Sequence, residues 1–105
     1  MAAMKLRLAM IFTQEDMKRI QFKEKKDGTK IFADVHGMKC KEAQKFIKNI
    51  INVIRNTFEL IVIHGYNHGT AIRDMIRESF TNSHVTDIIP DAYNQGVTHL
   101  IVEAY

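Results

Sequence analysis

The segment KIFADVHG, residues 30–37, decides how this chain folds. Ile31 to Val35 is a short run rich in β-forming residues, broken by a single aspartate, and it stops at His36-Gly37. Such a run, bounded by glycine, predicts a β-strand that ends in a turn.

The chain changes to a helical period immediately afterwards. Between residues 41 and 56, apolar residues recur at spacings of three and four and define one face of a helix: Ala43, Phe46, Ile47, Ile50 and Ile54. Three lysines and Arg55 lie away from that face. The segment 30–56 is therefore predicted to be a strand followed by an amphipathic helix.

The same pattern then repeats. Residues 58–63 are apolar except for Glu59, as in a strand buried on both faces, and they also end at a His–Gly pair. Residues 71–80 have helical spacing, with Thr70 as the expected N-cap. Residues 84–89 and 98–103 read as two further strands. The prediction is an α/β domain with the order βαβαββ, a mixed four-stranded sheet and two main helices.

The first 28 residues form an N-terminal extension to the domain at 29–105. Ile20 to Lys23 alternates between apolar and polar residues, and Asp27-Gly28 favours a tight turn. This predicts a strand hairpinned onto residues 30–35. Residues 1–13 are expected to be a further edge strand or a loose arm.

Composition excludes several classes of protein. The chain has 105 residues, 46% hydrophobic and 26% charged, which is typical of one soluble globular domain and not of a disordered or membrane protein. The N-terminus lacks the pattern of a signal peptide, and a single cysteine, Cys40, forms no internal disulfide, so a cytoplasmic location is expected. The net charge of +3 suits a nucleic-acid partner without requiring one. A monomer is favoured.

The two His–Gly pairs are expected to form one site. Strands joined by a helical crossover are parallel, and their carboxyl ends meet at one edge of the sheet. Asp34, His36, His64 and His68 should therefore be neighbours. Asp34 and His36 lie two apart, so their side chains point the same way and the carboxylate can orient the imidazole. The pair could be a general base, a metal ligand with its support or a phosphate contact. Alternatively, Asp34 caps the loop and His36 packs on it.

The second loop, His64-Gly65-Tyr66-Asn67-His68-Gly69, leads into a helix. Loops of this kind expose N–H groups where the helix dipole favours an anion, and Tyr66 could stack on a base. All six residues of this loop are therefore predicted to bind nucleic acid, and the alternative is a plain turn. Arg73 and Arg77 lie four apart on the next helix and, with Lys39 and Lys41 near the first loop, could neutralise phosphates, although charged helix faces are usually only solvated.

Other reactive side chains are less informative. The separation of His64 from His68 occurs in zinc sites, but no CxxC or HExxH motif is present, and we assign no metal ligands. Cys40 is interpreted as a small buried residue rather than a nucleophile. His84 and His99 have no evident partner and are interpreted as structural.

The motifs resemble those of a known family, the Smr (small MutS-related) domain. ADVHGM at 33–38 followed by Glu42-Ala43 is similar to its opening LDLHG…EA motif, and VIHG at 62–65 with Gly69, Ile72 and Arg73 is similar to its HGxG motif. His84-Val85, Ala92, Gly96 and Thr98 follow the order of its closing segment. The resemblance covers about residues 30–103.

The resemblance implies a βαβαββ fold similar to the C-terminal domain of translation initiation factor three, binding of DNA or RNA, and in several members a metal-stimulated endonuclease or nicking activity. It implies that Asp34 and His36 are catalytic and that His64, Gly65 and Gly69 bind substrate. Mg²⁺ or Mn²⁺ would be needed only for catalysis.

Two departures bear on this expectation. The basic third position of the HGxG loop is Tyr66, and the loop is one residue longer. Three functions therefore remain open: an endonuclease, a non-catalytic nucleic-acid- or ribosome-associated binder, and a protein-interaction module that docks through residues 1–26.

Overall fold

The mixed α/β class predicted from the sequence is confirmed. The structure, a computed structural model, describes residues 2–66 and 69–104. Its helices are α1 (Ala2–Ala9), α2 (Gln14–Met17), α3 (Cys40–Val53) and α4 (Ala71–Asp74), the last continuing into a π-helical turn, Met75–Ser79. Its strands are β1 (Ile20–Lys25), β2 (Gly28–Asp34), β3 (Phe58–Ile63), β4 (Val85–Pro90) and β5 (Val97–Val102).

The sheet has five strands in the order β1-β2-β3-β5-β4, one more than the four predicted for the domain. The additional strand is β1, which pairs antiparallel with β2 across the turn that precedes Gly28, where φ is +130°. This is the hairpin expected from the alternating residues and the Asp27-Gly28 pair. β2 and β3 are parallel, as predicted for strands joined by a helical crossover.

Residues 1–13 were expected to be an edge strand or a loose arm, and for the described residues this is wrong. They form α1, whose Met4 and Leu8 are 6% and 0% exposed and belong to the main hydrophobic core. The two residues lie one helical turn apart and so share a face. Because only these two anchor the helix, the sequence shows no sustained period there.

Helices and strands share one core. Alternate residues of β2, β3 and β5 pack against the buried face of α3, and the fully buried strand residues include Ile31, Ala33, Leu60, Val62 and Leu100. α3 is strongly amphipathic, as predicted from its spacing, and buries five residues: Ala43, Phe46, Ile47, Ile50 and Ile51. None of the helices among the described residues is long and apolar enough to span a membrane.

Candidate functional site

The two His–Gly loops lie side by side at one edge of the sheet. β2 and β3 are in parallel register from Lys30–Glu59 to Asp34–Ile63, so both loops leave the sheet at the same level. A Cβ atom added to Gly65 would lie 3.7 Å from the Cβ atom of His36. Gly37 and Gly65 have φ values of +80° and +73°, which residues with a side chain rarely adopt. Each glycine therefore permits the turn in which it lies.

The loops enclose a cleft of about 590 Å³. Its walls come from the β2–α3 loop (residues 36–38), from the end of β3 and the loop that follows, and from the start of α4 up to Arg73. Asn67 and His68, both predicted to bind nucleic acid, lie outside the described residues. Lys39 is exposed at the N-cap of α3 and makes no capping hydrogen bond through its side chain.

His36 lines this cleft and forms a hydrogen-bonded pair with Asp34. The Oδ1 atom of Asp34 binds Nδ1 of His36 and also accepts the backbone N–H of His36 at 3.1 Å. The His36 side chain is 66% exposed. Among the described residues, its Nε2 atom makes no hydrogen bond. The carboxylate thus orients the ring, and the second ring nitrogen faces solvent.

Sequence reasoning missed Arg19, which precedes β1 and forms hydrogen bonds with the backbone of this pair. Its Nη1 donates to the carbonyl oxygens of Asp34, at 3.1 Å, and of His36, at 3.3 Å. The backbone N–H of Asp34 donates to the carbonyl of Arg19 at 2.8 Å. The hairpin register, with Ile20 opposite Ala33, places Arg19 opposite Asp34, so the Asp27-Gly28 turn was the signal that could have identified it.

His64 has a different role from His36. Its side chain is buried, Nδ1 donates to the carbonyl of Gly65 at 2.7 Å, and Nε2 accepts the hydroxyl of Thr98 at 2.9 Å. Burial lowers the pKa of His64, and the nearby positive charges of Arg77 and Arg73 lower it further, against the raising effect of the Gly65 bond. The imidazole is therefore neutral in the folded protein and holds its loop in place.

Arg73 and Arg77, expected to form one cationic stripe, make different contacts. Arg73 lines the cleft and binds the carboxylate of Asp74 at 3.1 Å. Arg77 donates to the hydroxyl of Thr98 at 3.0 Å and to the carbonyl of Val97 at 3.4 Å. Arg77 thus supports the hydrogen bond between Thr98 and His64, whereas Arg73 remains next to the space that a ligand would occupy.

The expected hydroxyl cap of α4 is not formed. Thr70 occupies the N-cap position, but its Oγ1 donates to the Oδ2 of Asp74 at 2.8 Å and caps no backbone N–H. This hydrogen bond, and then that from Arg73, lower the pKa of Asp74. Asp74 is therefore an anion held at the start of the helix, and it offsets part of the charge of Arg73.

A third loop, between β4 and β5, joins the site through Gly96. The carbonyl of Gly96 accepts the N–H groups of His64, at 2.9 Å, and of Gly65, at 3.0 Å. A Cβ atom on Gly96 would lie 3.1 Å from the Cα atom of Gly65, which is tighter than most Cβ contacts, so a side chain there would require the neighbouring backbone to shift. The amides of His64 and Gly65, expected to face an anion, are therefore already bonded within the protein.

His99 was interpreted as lacking a partner, and this is wrong. Its Nδ1 binds the Oε2 of Glu59 and its Nε2 binds the Oδ1 of Asp91, each at 2.6 Å. Burial disfavours the charged ring, but the bonds to Asp91 and Glu59 outweigh burial and raise the pKa of His99. The bond from His99, with those from the amides of Tyr93 and Asn94, lowers the pKa of Asp91.

The other reactive side chains named in the sequence analysis, Cys40 and His84, do not line the cleft. Cys40 is half-buried, with its Sγ atom 3.7 Å from the carbonyl of Ala71. His84 lies at the opposite end of the sheet, where its carbonyl accepts the N–H of Glu103 at 2.8 Å. Within the part of the chain that the structure describes, no three His, Cys, Asp or Glu side chains are grouped so that they could hold a metal ion.

In comparisons with known proteins, no family model matches the chain and no curated protein is significantly similar to it.

Proposed function

We propose that the chain is an Smr-like protein that binds DNA or RNA at the cleft between its two His–Gly loops and hydrolyses a phosphodiester there. The order of elements from β2 to β5 supports the βαβαββ arrangement that the resemblance implies. The observation that carries the proposal is the pairing of Asp34 with the exposed His36, which lines the cleft.

The chemistry follows from the orientation of the ring. With Nδ1 held by Asp34, the Nε2 atom of His36 can take a proton from a water whose oxygen bonds to phosphorus, and the carboxylate stabilises the imidazolium that forms. The P–O bond to the leaving sugar oxygen breaks in the same displacement, and that oxygen takes up a proton from solvent. A phosphate in the cleft would lie beside Arg73, and the guanidinium of Arg19 is bonded to the backbone of the same pair. The charge of Arg73 favours the negative charge that develops on the phosphate, and Arg19 holds the backbone of the Asp34–His36 pair.

The described residues do not fit a resident divalent ion. One oxygen of Asp34 is bonded to His36, which leaves its Oδ2 and the Nε2 of His36 as the donors of this pair. No third His, Cys, Asp or Glu side chain of the described residues joins them, and Mg²⁺ is commonly held by one or two carboxylates together with the phosphates of a substrate. Asp34 and His36 are therefore assigned to proton transfer, and any ion would enter with the substrate phosphate.

A non-catalytic binder is the second candidate, because several polar side chains near the cleft are already hydrogen-bonded within the protein and are not free to act on a substrate. His64 and Arg77 are bonded within the protein, and Tyr66 replaces a cation in the loop. Such a protein would bind nucleic acid by the same cleft and release no products.

The test uses the full chain with end-labelled RNA and with plasmid DNA, each in Mg²⁺, in Mn²⁺ and in EDTA. The wild type should cleave at least one substrate, and Asp34→Asn and His36→Gln should each reduce the rate at least a hundredfold while binding changes little. His84→Gln, at the other end of the sheet, is the matched control. Binding without cleavage would select the second candidate. Full activity in a protein carrying both Asp34→Asn and His36→Gln would refute the assignment of the pair.

A further inference from the structure

Exposed aromatic side chains are confined to one place on the described surface. Tyr66 is 47% exposed and Tyr93 is 99% exposed, whereas all six phenylalanines are buried or half-buried. Tyr66 lies in the β3–α4 loop and Tyr93 in the β4–β5 loop. The backbones of these loops meet where Gly96 binds the N–H of Gly65.

Tyr93 is presented by a closely bonded loop. The Oδ2 of Asp91 accepts the N–H groups of Tyr93, at 3.1 Å, and of Asn94, at 2.9 Å. The Oδ1 of Asn94 accepts the N–H of Gly96 at 2.8 Å, and Asp91 and Val97 are joined by a backbone bond of 3.2 Å. The backbone that carries the ring is thus ordered before any ligand arrives, which reduces the entropy lost on binding.

The loop is also compatible with a polyanion. The acidic side chain nearest to Tyr93 along the chain is Asp91, and its other oxygen is bonded to His99. The phosphate-facing cation of the cleft, Arg73, lies on the side of Tyr66. An aromatic ring beside a cleft that carries a guanidinium is an arrangement in which bases can stack while a phosphate is neutralised.

We infer that Tyr66 and Tyr93 form a stacking platform for unpaired bases, so that the ligand of this cleft is a single-stranded nucleic acid rather than a duplex. The inference rests on the proposed function and deepens it. In a duplex the faces of the bases are covered by their neighbours, and rings on protruding loops can reach only bases that are unstacked. Tyr93 is then a specificity-determining residue outside the Asp34–His36 pair.

The test is binding of a labelled single strand of about 12 nucleotides, a typical site size for such proteins. The same strand annealed to its complement is the second ligand. Affinity for both ligands is measured with the His36→Gln protein, in which cleavage is prevented, and with the same protein carrying Tyr93→Leu or Tyr93→Phe in addition. Met10→Ala, which removes another exposed apolar side chain, is the matched control.

The His36→Gln protein with Tyr93 intact should bind the single strand at least tenfold more tightly than the duplex. Tyr93→Leu should weaken single-strand binding about tenfold, as expected for the loss of one stacked base, and Tyr93→Phe should restore it. The chain has three tyrosines and no tryptophan, so tyrosine fluorescence should be quenched by the single strand, and less so in Tyr93→Phe.

The failures are distinguishable. Equal affinity for strand and duplex, or unchanged binding in Tyr93→Leu, would overturn the platform while leaving nucleic-acid binding intact. Absence of binding to either ligand would overturn the proposed function and the platform with it.

Discussion

The Nε2 atom of His64 accepts a hydrogen bond from the hydroxyl of Thr98 at 2.9 Å, across 34 residues of sequence. The same hydroxyl oxygen accepts the Nε–H of Arg77 at 3.0 Å, so one buried threonine joins the first loop residue after β3 to the π-helical turn. The conformation of the second His–Gly motif is therefore stabilised by Thr98 and Arg77, which do not line the cleft.

Replacing Thr98 by valine should destabilise the protein by about 1–3 kcal/mol, because the polar atoms of His64 and Arg77 lose their shared partner in a buried position. Valine keeps the shape of the side chain, so the loss reports the hydroxyl alone. Urea unfolding of Thr98→Val against wild type measures it. A change below about 0.5 kcal/mol, the range of neutral surface substitutions, would contradict this account.

Acid should destabilise the protein through His64. Its pKa is lowered in the folded state, so below about pH 6.5 the unfolded chain takes up a proton that the folded chain refuses. The free energy of unfolding should fall as the pH drops through the folded pKa, and His64→Gln should show less of this loss. Titration of the ring by NMR provides the direct check: a His64 midpoint at or above 6.5 would be inconsistent with burial as the dominant cause.

Alkaline pH should act through His99 in the opposite sense. Its pKa is raised by Asp91 and Glu59, so its stabilising contribution is complete below about pH 6.5 and is lost as the pH rises through the folded pKa. The unfolding free energy of His99→Gln should therefore depend less on pH over that range than that of wild type. Parallel curves for the two proteins would show that the ring is not charged between its carboxylates.

Removing the charge of Arg73 should weaken nucleic-acid binding and reduce its dependence on salt. Arg73→Gln is expected to lower the slope of log affinity against log salt by about one, the value for one phosphate contact. Lys48→Gln, an exposed position on α3 outside the lining of the cleft, is the control. If both variants shift the slope equally, the cation at the cleft has no special role.

Two leucines of α1 offer a matched pair for stability. Leu8 is 0% exposed and Leu6 is 67% exposed, so Leu8→Ala should cost about 2–5 kcal/mol and Leu6→Ala under about 0.5 kcal/mol. Thermal or urea unfolding of both variants and of wild type measures the two changes in the free energy of unfolding. Equal effects would mean that α1 does not belong to the core.

Much of the fold could be predicted from local patterns. β2, α3 and β3 have clear apolar periods, and a helical crossover between strands enforces the parallel neighbours that bring Asp34 and His36 beside the second loop. α1 could not be predicted in the same way, because Met4 and Leu8 are too few positions to establish a period. Its helical state depends on packing against the core.

The side-chain roles were harder to predict than the elements. The partners of His99 are Glu59, a diagonal neighbour on the adjacent strand, and Asp91 in a loop, and both contacts depend on the pairing of β3 with β5. No local pattern gives that register. The inward position of His64 depends on Thr98 for the same reason, so the motif identified the loop but not the direction of its imidazole.

The packing of Met4 and Leu8 shows that the folded domain includes residues that precede the segment carrying the functional motifs. The motifs that suggest a function begin near residue 30, yet a chain shortened to that point would lose β1 from the sheet edge and Arg19 from its contacts with the Asp34–His36 pair. It would also lose three residues of the core, Met4, Leu8 and Ile20. A fragment chosen by its motifs alone would therefore be a poor reagent. Its inactivity would report a damaged scaffold and would say nothing about the chemistry of the cleft.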